Sequence, residues 1–205
     1  MFPRLYAIID PAQARGHSPL EITQALLAAG VQLIQLRDKQ ASSGELAALA
    51  GKLARYVRES GGTFIVNDRA DVALAAQADG VHVGQDDLPV ESARGILGPG
   101  KIIGYSTHVL EQVREADRTS ANYLAFGPIF PTSSKANADK AVGLEGLRAA
   151  RQATRKPLVA IGGITLPTAR SVIEAGADSI AVIRDLMAAP DIRQRAAEFL
   201  ETLIG

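Results

Sequence analysis

Eight short apolar runs recur along the chain, each followed by a segment with the punctuation of a helix, and this alternation narrows the fold more than any other feature. The runs lie at 5–9 (LYAII), 31–37 (VQLIQLR), 63–67 (TFIVN), 80–84 (GVHVG), 101–106 (KIIGYS), 123–127 (YLAFG), 157–162 (PLVAIG) and 179–184 (SIAVIR). They are rich in Val, Ile and Leu and mostly apolar throughout, as parallel strands covered on both faces must be. Between them, Ser18, Pro19 and Glu21 supply an N-cap, a first-turn proline and a capping-box acid, and Gly30 marks the stop. Ser42 and Glu45 repeat the box, followed by Leu46, Leu49, Leu53 and Val57 at helical spacing and by Gly61–Gly62 at the end. Thr165 and Pro167 open a later helix that Gly176 closes, and further helices fit 69–77, 90–97, 108–118, 144–154 and 190–203.

Three helix exits echo one another: Ala29-Gly30-Val31, Ala78-Asp79-Gly80-Val81 and Ala175-Gly176-Ala177-Asp178 each lead straight into a strand. Such an exit is the αβ turn of a repeated βα unit. Eight units in 205 residues predict a (β/α)8 TIM barrel, parallel strands inside and helices outside, at the short end of that fold's range. An open doubly wound sheet would favour a glycine-rich phosphate turn after the first strand. Here that strand runs into IIDPAQARGH, without a GxGxxG. No Pro/Ser/Gly-rich linker divides the chain, so a single domain over 1–205 is expected.

Composition removes several function classes. Lys plus Arg and Asp plus Glu are 22 each, so no global positive field draws nucleic acid or an anionic membrane, and anion binding has to be local. The absence of cysteine excludes disulfides and thiolate metal sites. The apolar run before Asp10 and Pro11 is too short for a signal-peptide core or a membrane span, so a cytoplasmic chain is expected. The sequence leaves a homo-oligomer open.

In a barrel, chemistry collects where strands end. The second strand ends Gln35-Leu36-Arg37-Asp38-Lys39, and period-two alternation puts Gln35, Arg37 and Lys39 on one side, suited to a polyanion. The alternative is a pair of solvated cations balanced by Asp38. Asp68 follows Asn67 at the third strand end, and Asp86 and Asp87 follow the fourth. Carboxylates on adjacent strands suit Mg2+ with substrate phosphates, although an Asp at such a junction also serves as an N-cap. Ser106 ends the fifth strand, as an anion donor or a helix cap. The longest irregular stretch, FPTSSKANADKAVGLEG, holds Thr132, Ser133, Ser134 and Lys135 and is the expected functional loop. Gly162–Gly163 after the seventh strand lie beside the eighth, which ends Ile183–Arg184; barrels commonly bind phosphate there through backbone N–H groups. His82, inside the fourth strand, reads as a hydrogen-bonded core residue, and no catalytic His pair or nucleophile elbow is present.

The strings LYAIID, QLRDK (35–39), VNDRADVAL (66–74), ADGVHVGQDDLP (78–89), GYSTH (104–108), FGPIFPTSSK (126–135) and AIGGI (160–164) together resemble the thiamine phosphate synthase family, in order and over essentially the whole chain. The resemblance implies an enzyme on small phosphorylated substrates. It joins an aminopyrimidine-methyl diphosphate to a carboxylated thiazole phosphate, giving thiamine phosphate, pyrophosphate and carbon dioxide with Mg2+. By motif position it implies that Gln35, Leu36, Arg37, Asp38, Lys39, Asn67, Ser106 and Lys135 hold the pyrimidine diphosphate. Arg37, Lys39, Ser106 and Lys135 act on the leaving group, Asp68 and Asp87 hold the metal, and Thr132, Ser133, Ser134, Gly163, Ile183 and Arg184 hold the thiazole phosphate.

Two positions depart from the family pattern. Ser134 stands where Thr is common and keeps the hydroxyl; Arg184 stands where many members have Ser. Arg184 is expected to grip the phosphate by its side chain, or else to pair with Asp185 or Asp178. The rival functions are a thiazole tautomerase, which needs no diphosphate or metal site, and a catalytically silent phosphate-ligand sensor. Pro128 and the retained Arg37, Lys39, Asp68, Asp87 and Lys135 favour the synthase.

Overall fold

A computed structural model describes residues 2–132 and 140–204, so Ser133, Ser134 and Lys135 lie outside the described residues. Its strands are β1 (Leu5–Ile9), β2 (Leu33–Leu36), β3 (Thr63–Asn67), β4 (Gly80–Val83), β5 (Ile102–Thr107), β6 (Tyr123–Phe126), β7 (Leu158–Ile161) and β8 (Ser179–Val182). They close in sequence order into one all-parallel barrel, β8 pairing back onto β1 through Leu5 and Ile180. The expected (β/α)8 barrel is therefore present, and the open-sheet alternative is excluded.

The helices are α1 (Pro19–Ala28), α2 (Ser43–Glu59), α3 (Ala70–Ala75), α4 (Val90–Leu97), α5 (Leu110–Asp117), α6 (Gly143–Ala153), α7 (Leu166–Glu174), α8 (Arg184–Met187) and α9 (Ile192–Ile204). Both sequence-expected capping boxes form: Glu21 N donates to Ser18 Oγ at 3.3 Å while Ser18 N donates to Glu21 Oε2 at 2.8 Å, and Ser42 and Glu45 repeat the exchange. The sequence did not reveal α8, because four residues are too few to show a helical period.

Each strand divides its side chains between two apolar layers. Leu5, Ala7 and Ile9 of β1 join the layer between strands and helices, whereas Tyr6 and Ile8 join the barrel interior with Leu33, Ile65, Tyr123, Ala125, Val159 and Ala181. This alternation aims Gln35, Asn67, His82 and Ser106 into the barrel from four consecutive strands.

The echoed helix exits have a structural purpose at the N-terminal end of the barrel. Asp79 accepts a hydrogen bond from Phe64 N at 2.8 Å, and Asp178 accepts one from Leu158 N at 2.8 Å. Each fastens the turn before one strand to the start of the preceding strand, and Asn122 Oδ1 does the same for Ile103 N at 2.8 Å. This end of the barrel is thus occupied with register, which leaves the opposite end for chemistry.

Candidate active site

A cavity of about 410 Å3 opens at the C-terminal ends of the strands. Gln35 and Arg37 reach it from β2, Asn67 from β3, His82 from β4 and Ser106 from β5. The opposite wall comes from Gly127, Pro128 and Thr132 after β6, Gly162 and Gly163 after β7, and Ile183 and Arg184 after β8. The motif residues thus form two arcs facing each other across one space.

Arg37 is held rather than solvated. Its Nη1 donates to Asp10 Oδ2 at 2.7 Å, and the side chains are 17% and 5% exposed. Asp10 is fixed in turn, accepting from Ala12 N at 3.1 Å and Gln13 Nε2 at 2.9 Å. Asp38 pairs with neither neighbouring cation; its Oδ1 accepts from Gln40 N at 3.0 Å and Ala41 N at 3.1 Å, shaping the loop. The pairing of Arg37 and Lys39 with Asp38 therefore does not form: Arg37 is held in the wall, and the more exposed Lys39 is bound to Asp68. Leu36 points into the strand–helix layer and is fully buried, which leaves only its backbone to meet a ligand.

Lys39 bonds to Asp68 across the β2–β3 rim, outside the cavity lining. Asp68 sits at φ 62°, a left-handed conformation that Asp tolerates better than most residues. Its backbone N–H reaches His82 O at 2.7 Å, and α3 begins without a side-chain cap, so Asp68 is not an N-cap. Asp87 Oδ2 accepts from Gly84 N at 2.8 Å. Burial, followed by a hydrogen-bonding contact with the Asp68 carboxyl, pushes the Asp87 carboxyl above its usual range. Among the described residues, two carboxylates are thus pressed together beside a single lysine.

The seventh strand exit depends on glycine. Gly163 has φ 66°, and a Cβ there would lie 2.7 Å from Pro131 O. Arg184 is exposed at the cavity edge, and its two expected partners are taken: Asp178 pairs with Arg151 and Asp185 with Arg195, each at 2.7 Å. The salt-bridge alternative for Arg184 is therefore not what forms.

A profile of the family described as thiamine monophosphate synthase matches residues 5–186. The chain belongs to the thiamine monophosphate synthase family. As a member it is an enzyme, of the transferase class. It is 53% identical to the thiamine-phosphate synthase of Koribacter versatilis over 98% of this chain and 96% of that one. It is 44% identical to that of Moorella thermoacetica, over 97% and 95%. Thiamine phosphate pyrophosphorylase from Pyrococcus furiosus superposes with a TM-score of 0.89 at 38% identity, covering 98% of this chain and 97% of that one.

Sequence reasoning missed Tyr6, which lines the cavity, and two residues that support the lining from behind, Asp10 and Tyr123. Asp10 is the terminal residue of LYAIID, and its charge directly after a strand was the available signal. Tyr6 and Tyr123 had none, because an aromatic in a strand buried on both faces reads as core. His82 was expected in a hydrogen-bonded core role, and it is hydrogen bonded, yet it also lines the cavity.

Proposed function

We propose that the chain joins an aminopyrimidine-methyl diphosphate to a carboxylated thiazole phosphate. The observation that carries this is the convergence of Gln35, Arg37, Asn67 and Ser106 on one cavity beside the Lys39–Asp68–Asp87 cluster. The cavity offers cations, amides and hydroxyls; among the described residues its one serine–histidine contact, Ser106 Oγ to His82 Nε2 at 2.8 Å, is tied into the barrel floor through Tyr123. A reaction that begins by expelling pyrophosphate needs no nucleophile activated by such a pair. The bond from the methylene carbon to the diphosphate oxygen breaks, and both electrons leave with pyrophosphate. The aminopyrimidine ring delocalises the positive charge left behind. The thiazole nitrogen then supplies the electron pair of the new C–N bond; the carboxylate leaves as carbon dioxide, its bonding pair stays on the ring, and a proton from solvent takes up that pair to give the aromatic thiazolium.

The residues' task is to bind, orient and stabilise charge on the departing group. Arg37, oriented by Asp10, together with Lys39 and Ser106, faces the diphosphate, with Lys135 from the loop after β6 as a further cation. Gln35 and Asn67 hold the pyrimidine edge. Gly163, the start of α8 at Ile183–Arg184 and Thr132 face the thiazole phosphate, to which the family resemblance adds Ser133 and Ser134. Removing one such preorganised contact costs about 10²–10³ in rate.

Asp68 and Asp87 fit Mg2+. Their crowding raises the cost of two negative charges, which a hard cation relieves, and Mg2+ typically takes one or two carboxylates with water and substrate phosphates filling the rest. Among the described residues no group of three or more potential metal ligands occurs, so a metal at Asp68 and Asp87 would take its remaining ligands from water and substrate. When bound, Mg2+ supplies countercharge to the leaving pyrophosphate. Among the described residues no helix is long and apolar enough to cross a membrane. We place the enzyme in the cytoplasm, where charged phosphorylated substrates are retained.

The test is to supply the thiazole phosphate alone and then both substrates with Mg2+. The proposal expects no change in the first case and pyrophosphate in the second. Absence of pyrophosphate would sink it, and isomerisation of the thiazole alone would indicate a tautomerase.

A further inference from the structure

At the cavity floor, four hydrogen bonds run in series across the barrel. Gln35 Nε2 donates to Tyr6 OH at 2.6 Å, and Tyr6 OH lies 2.9 Å from Tyr123 OH. Tyr123 OH lies 2.9 Å from His82 Nδ1, and His82 Nε2 lies 2.8 Å from Ser106 Oγ. The chain starts on β2, passes through β1, β6 and β4, and ends on β5, so only closure of the barrel brings its members together. Both ends line the cavity.

The chain is built into the backbone. A Cβ on Gly104 would lie 2.0 Å from Tyr123 Cζ and 2.4 Å from His82 Nδ1. The glycine on β5 therefore leaves the space through which the phenol and the imidazole meet. The His82 and Tyr123 rings lie at 23° to each other, and Tyr6 meets Tyr123 edge-on at 78°. Burial pushes both phenols well above their ordinary pKa, so each keeps its proton.

Along these four contacts, with the Gln35 amide as donor to Tyr6, one direction of proton donation is favoured. Tyr6 oxygen accepts from Gln35, so the Tyr6 proton goes to Tyr123. Tyr123 in turn donates to His82 Nδ1, leaving the imidazole proton on Nε2, where it goes to Ser106 Oγ. Ser106 then accepts from below, and its own proton is free to point into the cavity. With the imidazole proton on Nδ1 instead, Tyr123 would donate to Tyr6. Tyr6 would then receive two donors, and its own proton, in a residue only 1% exposed, would have no acceptor. Gln35 gives one of its two Nε2 protons to Tyr6 and keeps Oε1 as an acceptor toward the cavity.

We infer that Tyr6, Tyr123 and His82 are positioning residues that couple Gln35 to Ser106, fixing an acceptor at one end of the cavity and a hydroxyl donor at the other. This polarity suits a ligand carrying an amine at one end and an anion at the other, and it deepens the proposed function, resting on that reading only for the ligand's identity. The device is directional: reversing the first donor reverses every later one, so the choice made at Gln35 sets what Ser106 offers.

The test begins with the substrate-free protein and 15N-labelled histidine. The chain has three histidines, and a His82→Gln variant identifies the signal. The wild type is expected to carry the His82 proton on Nε2, with Nδ1 bare. A proton on Nδ1 would place the whole chain in the opposite sense and overturn the inference. In Gln35→Glu at alkaline pH, the ionised carboxylate can only accept from Tyr6, so the His82 proton is expected to move to Nδ1; a tautomer unchanged across the range in which the variant folds would refute the coupling. In Tyr123→Phe, shown folded by a thermal melt, kcat/KM for the diphosphate substrate is expected to fall about tenfold, the scale of one lost hydrogen bond. Wild-type kinetics there would also overturn the inference. The tautomer experiments need no substrate. If they succeed while no pyrophosphate is ever released, the proposed function fails and the chain stands.

Discussion

The guanidinium of Arg37 is anchored to the carboxylate of Asp10, 2.7 Å away, and that contact turns a loop cation into a fixed element of the cavity wall. Asp10 lies just beyond the end of β1 and Arg37 just beyond β2, so the strand pairing itself sets the distance between them. Arg37 N donates to Ile9 O at 2.9 Å, which continues that pairing up to the ion pair.

Asp10→Asn therefore tests positioning apart from binding charge. The arginine stays, but its strongest anchor is gone. Steady-state kinetics should show kcat/KM for the diphosphate substrate lowered about a hundredfold, the scale of a slightly misplaced reacting group. An unchanged value would show that Arg37 needs no anchor.

Asp68 separates fold from function. Asp68→Asn keeps a residue that tolerates φ 62° but lowers the charge of the acidic pair. Its urea midpoint should stay close to wild type while activity falls about 10²–10³-fold. Asp68→Val should lose activity similarly and also cost about 1–2 kcal/mol in stability, because a β-branched side chain is strained in the left-handed region. Equal stabilities for the two variants would contradict the strain.

Gly104 and Gly95 make a controlled pair. Gly104→Ala drives a methyl into Tyr123 and His82 and should cost about 1–3 kcal/mol by chemical denaturation. Gly95 lies exposed in α4, with nothing within 4 Å of an added Cβ. Gly95→Ala should stabilise by about 0.5–1 kcal/mol. If Gly104→Ala stabilised as Gly95→Ala does, the clash of a methyl with Tyr123 and His82 would be contradicted.

The capping box at α2 predicts a pH dependence. The Ser42 hydroxyl, then its backbone N–H, hold the Glu45 carboxyl below its usual pKa. A lowered folded-state pKa contributes stability that is present above the unfolded value and is lost as pH falls through the folded one. Ser42→Ala should therefore lower Tm at neutral pH, and its gap to wild type should narrow as the solution is acidified below the carboxylate range. A gap that widens on acidification would contradict the assigned cause.

The strands at Leu5–Ile9 and Thr63–Asn67 have the bounds their apolar runs predict. The second is shorter than its run, because Val31 N donates to Leu26 O at 3.0 Å as part of the α1 exit. The polar strand ends were also legible, since a charged or amide residue after an apolar run stands out. What stayed hidden was which face of each strand looks inward. Strands buried on both faces show no polarity contrast, and the Tyr6–Tyr123 contact spans 117 residues. Ser106 shows the consequence: its expected alternative was a helix cap, but α5 starts without a side-chain cap and the Ser106 hydroxyl lies against His82.

The decisive measurement is the stoichiometry of products under single-turnover conditions, with the aminopyrimidine-methyl diphosphate, the carboxylated thiazole phosphate and Mg2+ all present. Thiamine phosphate, pyrophosphate and carbon dioxide should form in equal amounts, and omitting either substrate should abolish the thiamine phosphate. Inorganic phosphate in place of pyrophosphate, or a diphosphate substrate left intact beside a consumed thiazole, would contradict a site built to stabilise departing pyrophosphate.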